Sequence, residues 1–191
     1  EAIQEFNRVV DQSRSNPIRR YRARRYLSLA YFQTNNFAAA GKLPLRDPVT
    51  RLMRSTIRDP NRIVWSEGPE ARLEFHEDEP WQLPTVAVSV NGEESVAKVD
   101  TGGDLFSLPW AMADRLGIKP VATTTGLFAG GHRAKIAFGI LDRLDLGAAA
   151  MHHLPVSINS FDYPVIGTGL LRQFRPSLDY PNRHPSAFAI S

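Results

Sequence analysis

Three consecutive residues, Asp100-Thr101-Gly102 in the stretch KVDTGGDLFSLP (98–109), have types and spacing suited to hydrolysis. A carboxylate held on a fixed loop can move a proton to or from a reacting group. A glycine just behind it lets another segment of backbone pass close beneath. The triplet decides little by itself. At ordinary residue frequencies Asp-Thr/Ser-Gly arises by chance in roughly one chain in ten of this length, and a surface turn, which Asp and Gly both favour, is its ordinary reading. Other chemistries have weaker claims. The chain contains no cysteine, which excludes disulfides, thiolate nucleophiles and cysteine-held metals. It contains no dinucleotide fingerprint, no P-loop and no His-Glu-x-x-His. The adjacent His152-His153 pair sits in a strand-like run, which would send the two rings to opposite faces and prevent them from sharing a metal. No metal or cofactor is expected.

The elements that must position Asp100 are strands. TVAVSVNGEESVAKVD (85–100) alternates over Val86, Val88 and Val90, turns at Asn91-Gly92, and alternates back toward Val96 and Val99. Asn-Gly between alternating apolar runs is a strong hairpin signal, and this hairpin ends on Asp100. A short strand, LFSLP, and a short helix, PWAMADRLGI, come next. They are followed by a strand near Val121 to Thr125 and the glycine-rich turn GLFAGGH (126–132). RAKIAFGILDRLDLG and MHHLPVSI read as further strands. Val165-Ile166-Gly167 reads as a buried strand running into a short helix at Leu170 to Phe174.

Residues 1–62 have a helical period instead. Ile3, Phe6, Val9 and Val10 fall at helical spacing, and Asn16-Pro17 is a cap with proline in the first turn. Ile18, Tyr21, Tyr26, Leu29, Ala30 and Phe32 form the expected apolar stripe, and one more short helix is expected from Val49 to Ile57. Charge divides at about the same place. Residues 1–65 hold 13 Lys and Arg against 5 Asp and Glu, and residues 66–191 hold 10 against 15. The arginines at 19, 20, 22, 24 and 25 lack base-stacking aromatics at regular spacing, which argues against nucleic acid as the partner. No apolar run reaches the ~20 residues of a membrane-spanning helix. The chain starts at Glu1 rather than Met, so a removed targeting segment or a trimmed end is expected.

Taken together, VDTGGDLFSLP, GLFAGGH and PVIGTGLLRQFRPSLDY, in that order, resemble a retropepsin-type aspartic protease unit over roughly residues 72–191. The resemblance implies a mainly β fold, a retropepsin-like closed barrel, in a domain spanning 63–191. An N-terminal helical, helix-turn-helix segment, 1–62, precedes it. That segment resembles a tetratricopeptide unit through Leu29-Ala30-Tyr31-Phe32 and Asn36 to Ala40, though a solenoid needs about three repeats. By the same resemblance Asp100 is the catalytic carboxylate, Thr101 knits two active loops together, and Gly102 is the close-approach glycine. Gly126, Leu127, Phe128, Ala129, Gly130, Gly131 and His132 form a flap over a peptide or protein substrate, and Val165-Ile166-Gly167 supports the active loop. Gly103 stands where the family has alanine, implying a looser loop, and the flap lacks the tyrosine of pepsin-like enzymes.

The chemistry the resemblance implies needs two aspartates, and the chain holds a single Asp-Thr/Ser-Gly. Either two copies pair, each giving Asp100, or a second lobe follows Ser191. Two other readings stand beside an endopeptidase active only when paired: an inactive peptide-binding or dimerisation module of the same fold, and a repeat-type adaptor carried by the helices. The resemblance to bacterial envelope proteins implies a periplasmic or otherwise extracytoplasmic location.

Overall fold

The computed structural model describes residues 1–76, 83–179 and 187–190. The expectations for 77–82, 180–186 and 191 lie outside them. The chain divides into two compact units, Glu1–Pro60 and Asn61–Ser191.

The first unit contains helices α1 (Ala2–Gln12), α2 (Pro17–Gln33), α3 (Phe37–Lys42) and α4 (Pro48–Ser55). Three of them begin on a side-chain cap. Asn16 accepts from the Arg19 N–H (3.0 Å), Asn36 from the Ala39 N–H (3.3 Å) and Asp47 from the Thr50 N–H (3.0 Å). Each such cap stabilises its helix by about 1 kcal/mol. Most of the expected apolar stripe on α2 is not its packing face. Ile18, Tyr21, Tyr26 and Leu29 are 67%, 52%, 58% and 47% exposed; Phe32 is buried as expected, together with Ala23, Leu27 and Ser28 from outside the stripe. Ala23 and Leu27 lie four apart on one side of the helix, and the small Ala23 and Ser28 let neighbouring backbone come near. The Ser28 hydroxyl lies 3.2 Å from that of Thr50 on α4, so a polar contact helps choose the buried side. Gly41 lets α3 and α4 approach closely, because a Cβ there would fall 2.7 Å from the Met53 carbonyl oxygen.

The described residues of the second unit form eleven strands: β1 (Arg62–Trp65), β2 (Ala71–His76), β3 (Thr85–Val90), β4 (Glu93–Asp100), β5 (Phe106–Pro109), β6 (Ala122–Leu127), β7 (Arg133–Leu146), β8 (Ala149–Asn159), β9 (Val165–Gly167), β10 (Ser177–Asp179) and β11 (Ala187–Ile190). Two short helices, α5 (Trp110–Arg115) and α6 (Thr168–Leu171), interrupt them. The order β3-β4-β9-β5-β8-β7 returns to β3 through Ser89↔Asp145 and Val90↔Leu144, which closes a six-strand barrel. Strand β6 lies on the free edge of β7, β1 pairs with β8, and β2 joins β3 to β11 and β10. The unit is thus mainly β and built on a closed barrel, as the sequence implied. The last helix begins at Thr168 and ends at Leu171, earlier than the expected 170 to 174.

Asn91 and Gly92 have φ of +52° and +85°, the left-handed pair that a two-residue hairpin turn requires. Beyond the turn the expected alternation needs a correction. Val96 and Val99 are three residues apart and, on a strand of period two, face opposite ways. Ala97 and Val99 are buried with Val86, Val88 and Val90, whereas Val96 is 44% exposed. Lys98 and Asp100 share the face of Val96, away from the core. The long ribbon of β7 and β8 also departs from a uniform strand. The residues that join the hydrophobic core are Ala149 and Met151 up to one point and Leu154, Val156 and Ile158 after it, a shift of one. The break falls at His152 and His153, where His153 has φ of +54°, so the simple opposite-face expectation for the two histidines does not describe this strand. β7 shifts at the matching level, between Leu141 and Leu144.

Candidate active site

Asp100 is the last residue of β4, and β9 runs parallel beside it with Lys98↔Val165, Val99↔Ile166 and Asp100↔Gly167 in register. Val99 and Ile166 are buried, which anchors both strands, and Asp100 is half-buried at their common end. Its Oδ1 accepts from the Gly102 N–H at 2.8 Å, an Asx turn, and its carbonyl accepts from the Gly103 N–H at 3.1 Å. The turn reading and the chemical reading of Asp100 therefore describe one geometry. The turn uses one carboxylate oxygen. Among the described residues Oδ2 has no hydrogen-bond partner, and it is not a buried unsatisfied atom.

Thr168 fixes the rest of the loop. Its N–H donates to the Gly103 carbonyl (2.7 Å), and its hydroxyl lies 2.7 Å from that same oxygen and 2.9 Å from the Thr101 carbonyl. One hydroxyl proton is shared between these two acceptors. The glycines next to Thr168 are sterically required. A Cβ on Gly167 would meet the Leu105 oxygen at 2.5 Å and the Gly103 oxygen at 2.7 Å, and one on Gly169 would meet the Asp104 oxygen at 1.8 Å. Gly103 differs from them, since its Cβ would lie 3.4 Å from the Asp100 oxygen and from Gly167 Cα, an ordinary contact. The loop is accordingly tied by hydrogen bonds on both sides of Gly103 and is not the loose loop that the missing alanine implied. Thr101 and Gly102 are exposed at its tip.

The segment Gly126 to His132 joins β6 to β7. Gly130 and Gly131 have φ of +73° and +77°, consecutive left-handed residues that turn the chain. The turn is closed by the Phe128 N–H to the His132 oxygen (2.8 Å) and the Gly131 N–H to the Phe128 oxygen (3.1 Å). At Gly126 a Cβ would fall 2.9 Å from Ile136 Cγ2 and 3.2 Å from the Phe128 ring, so glycine leaves space for that ring to fold back. Phe128 meets Phe161 edge to face at 5.5 Å, Phe161 stacks on Tyr163 at 6.2 Å, and Lys98 Nζ sits 4.2 Å over the Tyr163 ring. These contacts run from the glycine turn back to β4, two residues before Asp100. Leu127, beside Phe128, is 70% exposed.

Asp100, Thr101 and Gly102 thus lie together against Gly167, and Phe128 is linked to their strand through the loop before β9. Sequence reasoning missed Thr168, Phe161 and Tyr163. Thr168 sits in a Gly-Thr-Gly (167–169) that has no carboxylate and no periodic apolar pattern to mark it. The aromatics at 161 and 163 flank a turn that carried no motif.

Residues 86–173 match the family model described as aspartyl protease. No curated protein matches the sequence. Among solved structures the chain is similar to a retropepsin-like aspartic protease from Rickettsia conorii, with 19% identity, TM-score 0.47, and coverage of 68% of this chain and 92% of that one. It is also similar to EIAV protease complexed with the inhibitor HBY-793, with 17% identity, TM-score 0.42, and coverage of 51% and 93%. The family match includes none of residues 1–60, and it gives the tetratricopeptide-like expectation no support. The segment that matches the aspartyl protease model lies within the β unit and contains Asp100-Thr101-Gly102.

Proposed function

We propose that the chain is an aspartic endopeptidase in which Asp100 supplies one of two carboxylates. The observation that carries this reading is the state of the Asp100 side chain: one oxygen is fixed by the Gly102 N–H, and the other has no partner among the described residues on a half-buried, tightly tied loop. A carboxylate held in this way is oriented without being consumed by its own turn. Opposite a second aspartate the two would share one proton, because like charges so close cannot both ionise. The ionised member takes a proton from water as the water attacks the peptide carbonyl, and the protonated member donates to the carbonyl oxygen. The C–N bond then breaks as the proton taken from water passes to the leaving amine, and a hydroxyl of the hydrated carbonyl returns its proton to the other carboxylate, so the pair again holds one proton.

The second carboxylate comes from another copy of the chain or from a second lobe. The exposed tip at Thr101 and Gly102 favours this reading, since it leaves the loop open to a facing loop of the same kind. In this account the segment Gly126 to Gly131 is the flap over the substrate, and Val165-Ile166-Gly167 carries the active loop. Replacing Asp100 by Asn preserves size and the Asx-turn acceptor but removes the shared proton. Peptide cleavage should fall roughly a hundred- to ten-thousand-fold while thermal unfolding stays close to the wild type. Equal cleavage by Asp100→Asn would overturn the proposal. A wild type that pairs but cleaves no peptide would favour the inactive module.

A further inference from the structure

The helical unit contains a cavity of about 410 Å³ between the outer face of α2 and the start of α4, lined by Arg22, Arg25, Tyr26, Leu29, Asp47 and Val49 together with Ser28. This is within the size range of ligand sites. Its floor is fixed by a hydrogen-bond chain. The Thr50 hydroxyl donates to Asp47 Oδ2 at 2.7 Å, so Ser28, 3.2 Å away, is left to donate to Thr50. Ser28 and Thr50 are buried, at 4% and 0% exposure. The rim is different. Arg22, Arg25 and Leu29, with Ile18, follow the i, i+4, i+7, i+11 spacing of one helix side, and all are exposed. Neither Arg22 nor Arg25 has an ion-pair or hydrogen-bond partner among the described residues. Helix α2 carries five arginines and no acidic residue.

We infer that this cavity is a docking site for an acidic peptide segment, whose carboxylates pair with Arg22 and Arg25 while an adjacent apolar side chain enters between Leu29 and Val49. Guanidinium groups match carboxylates in paired, planar geometry. Peptide fits the cavity better than nucleic acid or an anionic lipid surface. Asp47 lines the same space and repels any anion placed beside it, yet it can accept from a peptide N–H through its remaining lone pairs, a donor that a phosphate chain lacks. The cavity is also concave and of side-chain size, with an apolar wall, whereas a phosphate chain or a bilayer calls for a broad basic surface. The site is independent of the activity proposed for the β unit.

The test uses the full chain carrying Asp100→Asn, so that cleavage does not obscure binding, and fluorescence anisotropy with a labelled Glu-Glu-Leu-Glu-Glu-Phe peptide. The counterpart with Gln in place of each Glu, a single-stranded oligothymidine and phosphatidylserine vesicles are measured alongside it. The acidic peptide should bind and the neutral one should not. Arg22→Gln and Arg25→Gln should each weaken binding by about tenfold or more, the effect expected for a hydrogen bond to a charged group. Arg14→Gln and Arg58→Gln remove exposed charges outside the cavity and should change binding by no more than about twofold. Any one of four results would overturn the inference: no binding of the acidic peptide at millimolar concentration, equal binding of the neutral peptide, equal losses at positions 14 and 58, or tighter binding of the oligonucleotide or the vesicles with the same dependence on Arg22 and Arg25.

Discussion

The two turns of the β unit are held by different forces. The loop after Asp100 is fixed by hydrogen bonds from Gly102, Gly103 and Thr168, and by glycines at 167 and 169 that admit no side chain. The turn at Gly126 to His132 is closed by two backbone hydrogen bonds and rests on the edge of one ring, Phe161. Directional bonds and steric exclusion define a single position, whereas an edge-to-face aromatic contact is worth only ~0.5–1.5 kcal/mol beyond burial. The first arrangement suits a group that must not move during proton transfer. The second suits an element that opens and closes.

Substitutions in the two turns should therefore have unequal consequences. The largest effect is expected at Gly169, where alanine would place Cβ 1.8 Å from the Asp104 oxygen. Gly169→Ala should destabilise the β unit by about 3 kcal/mol or more, as strong overpacking does, and remove cleavage. Urea unfolding with a wild-type midpoint would contradict the tight crossing. Next is Thr168→Val, which keeps the shape but deletes the hydroxyl that reaches the Thr101 and Gly103 carbonyls. A loss of about 1–3 kcal/mol is expected, with kcat reduced more than KM increased, since the carboxylate loses its fixed position. At the aromatic contact beneath the turn at 126–132, Phe161→Ala should lower global stability by about 1 kcal/mol while raising KM with little change in kcat. Faster hydrogen exchange confined to residues 126–132 would be its signature, and unchanged exchange would show that the ring contact does not hold the turn. The smallest effect is expected at Gly103, where a Cβ finds ordinary contacts. Gly103→Ala should be neutral or stabilise by up to about 1 kcal/mol through the unfolded chain, and a loss above that would mean the loop has no room.

The sequence made one of these turns far more legible than the other. Asp100, Gly102 and Gly167 could be read because their constraints are local: a hairpin set by Asn91-Gly92, a turn residue, and a glycine where strands cross. Thr168 could not, because its acceptors are 65 and 67 residues away and a threonine between glycines gives no periodic signal. The Phe128–Phe161–Tyr163 contacts were hidden for the same reason. In the helices the apolar period was legible, but not the buried side. Ile18, Tyr21, Tyr26 and Leu29 offered more apolar surface than Ala23 and Ser28, yet small residues and the Ser28–Thr50 contact decided the packing. The phase shift at His153 was equally invisible, since it depends on the ribbon of β7 and β8 moving together.

The central claim is that Asp100 is one half of a catalytic pair. Its most direct test is the specific activity of the 191-residue chain across about a thousandfold dilution, measured with sedimentation on the same samples. The account predicts peptide cleavage that rises and falls with the fraction of paired chains and disappears in Asp100→Asn. A monomer that cleaves peptides with constant specific activity through the whole dilution series would contradict it.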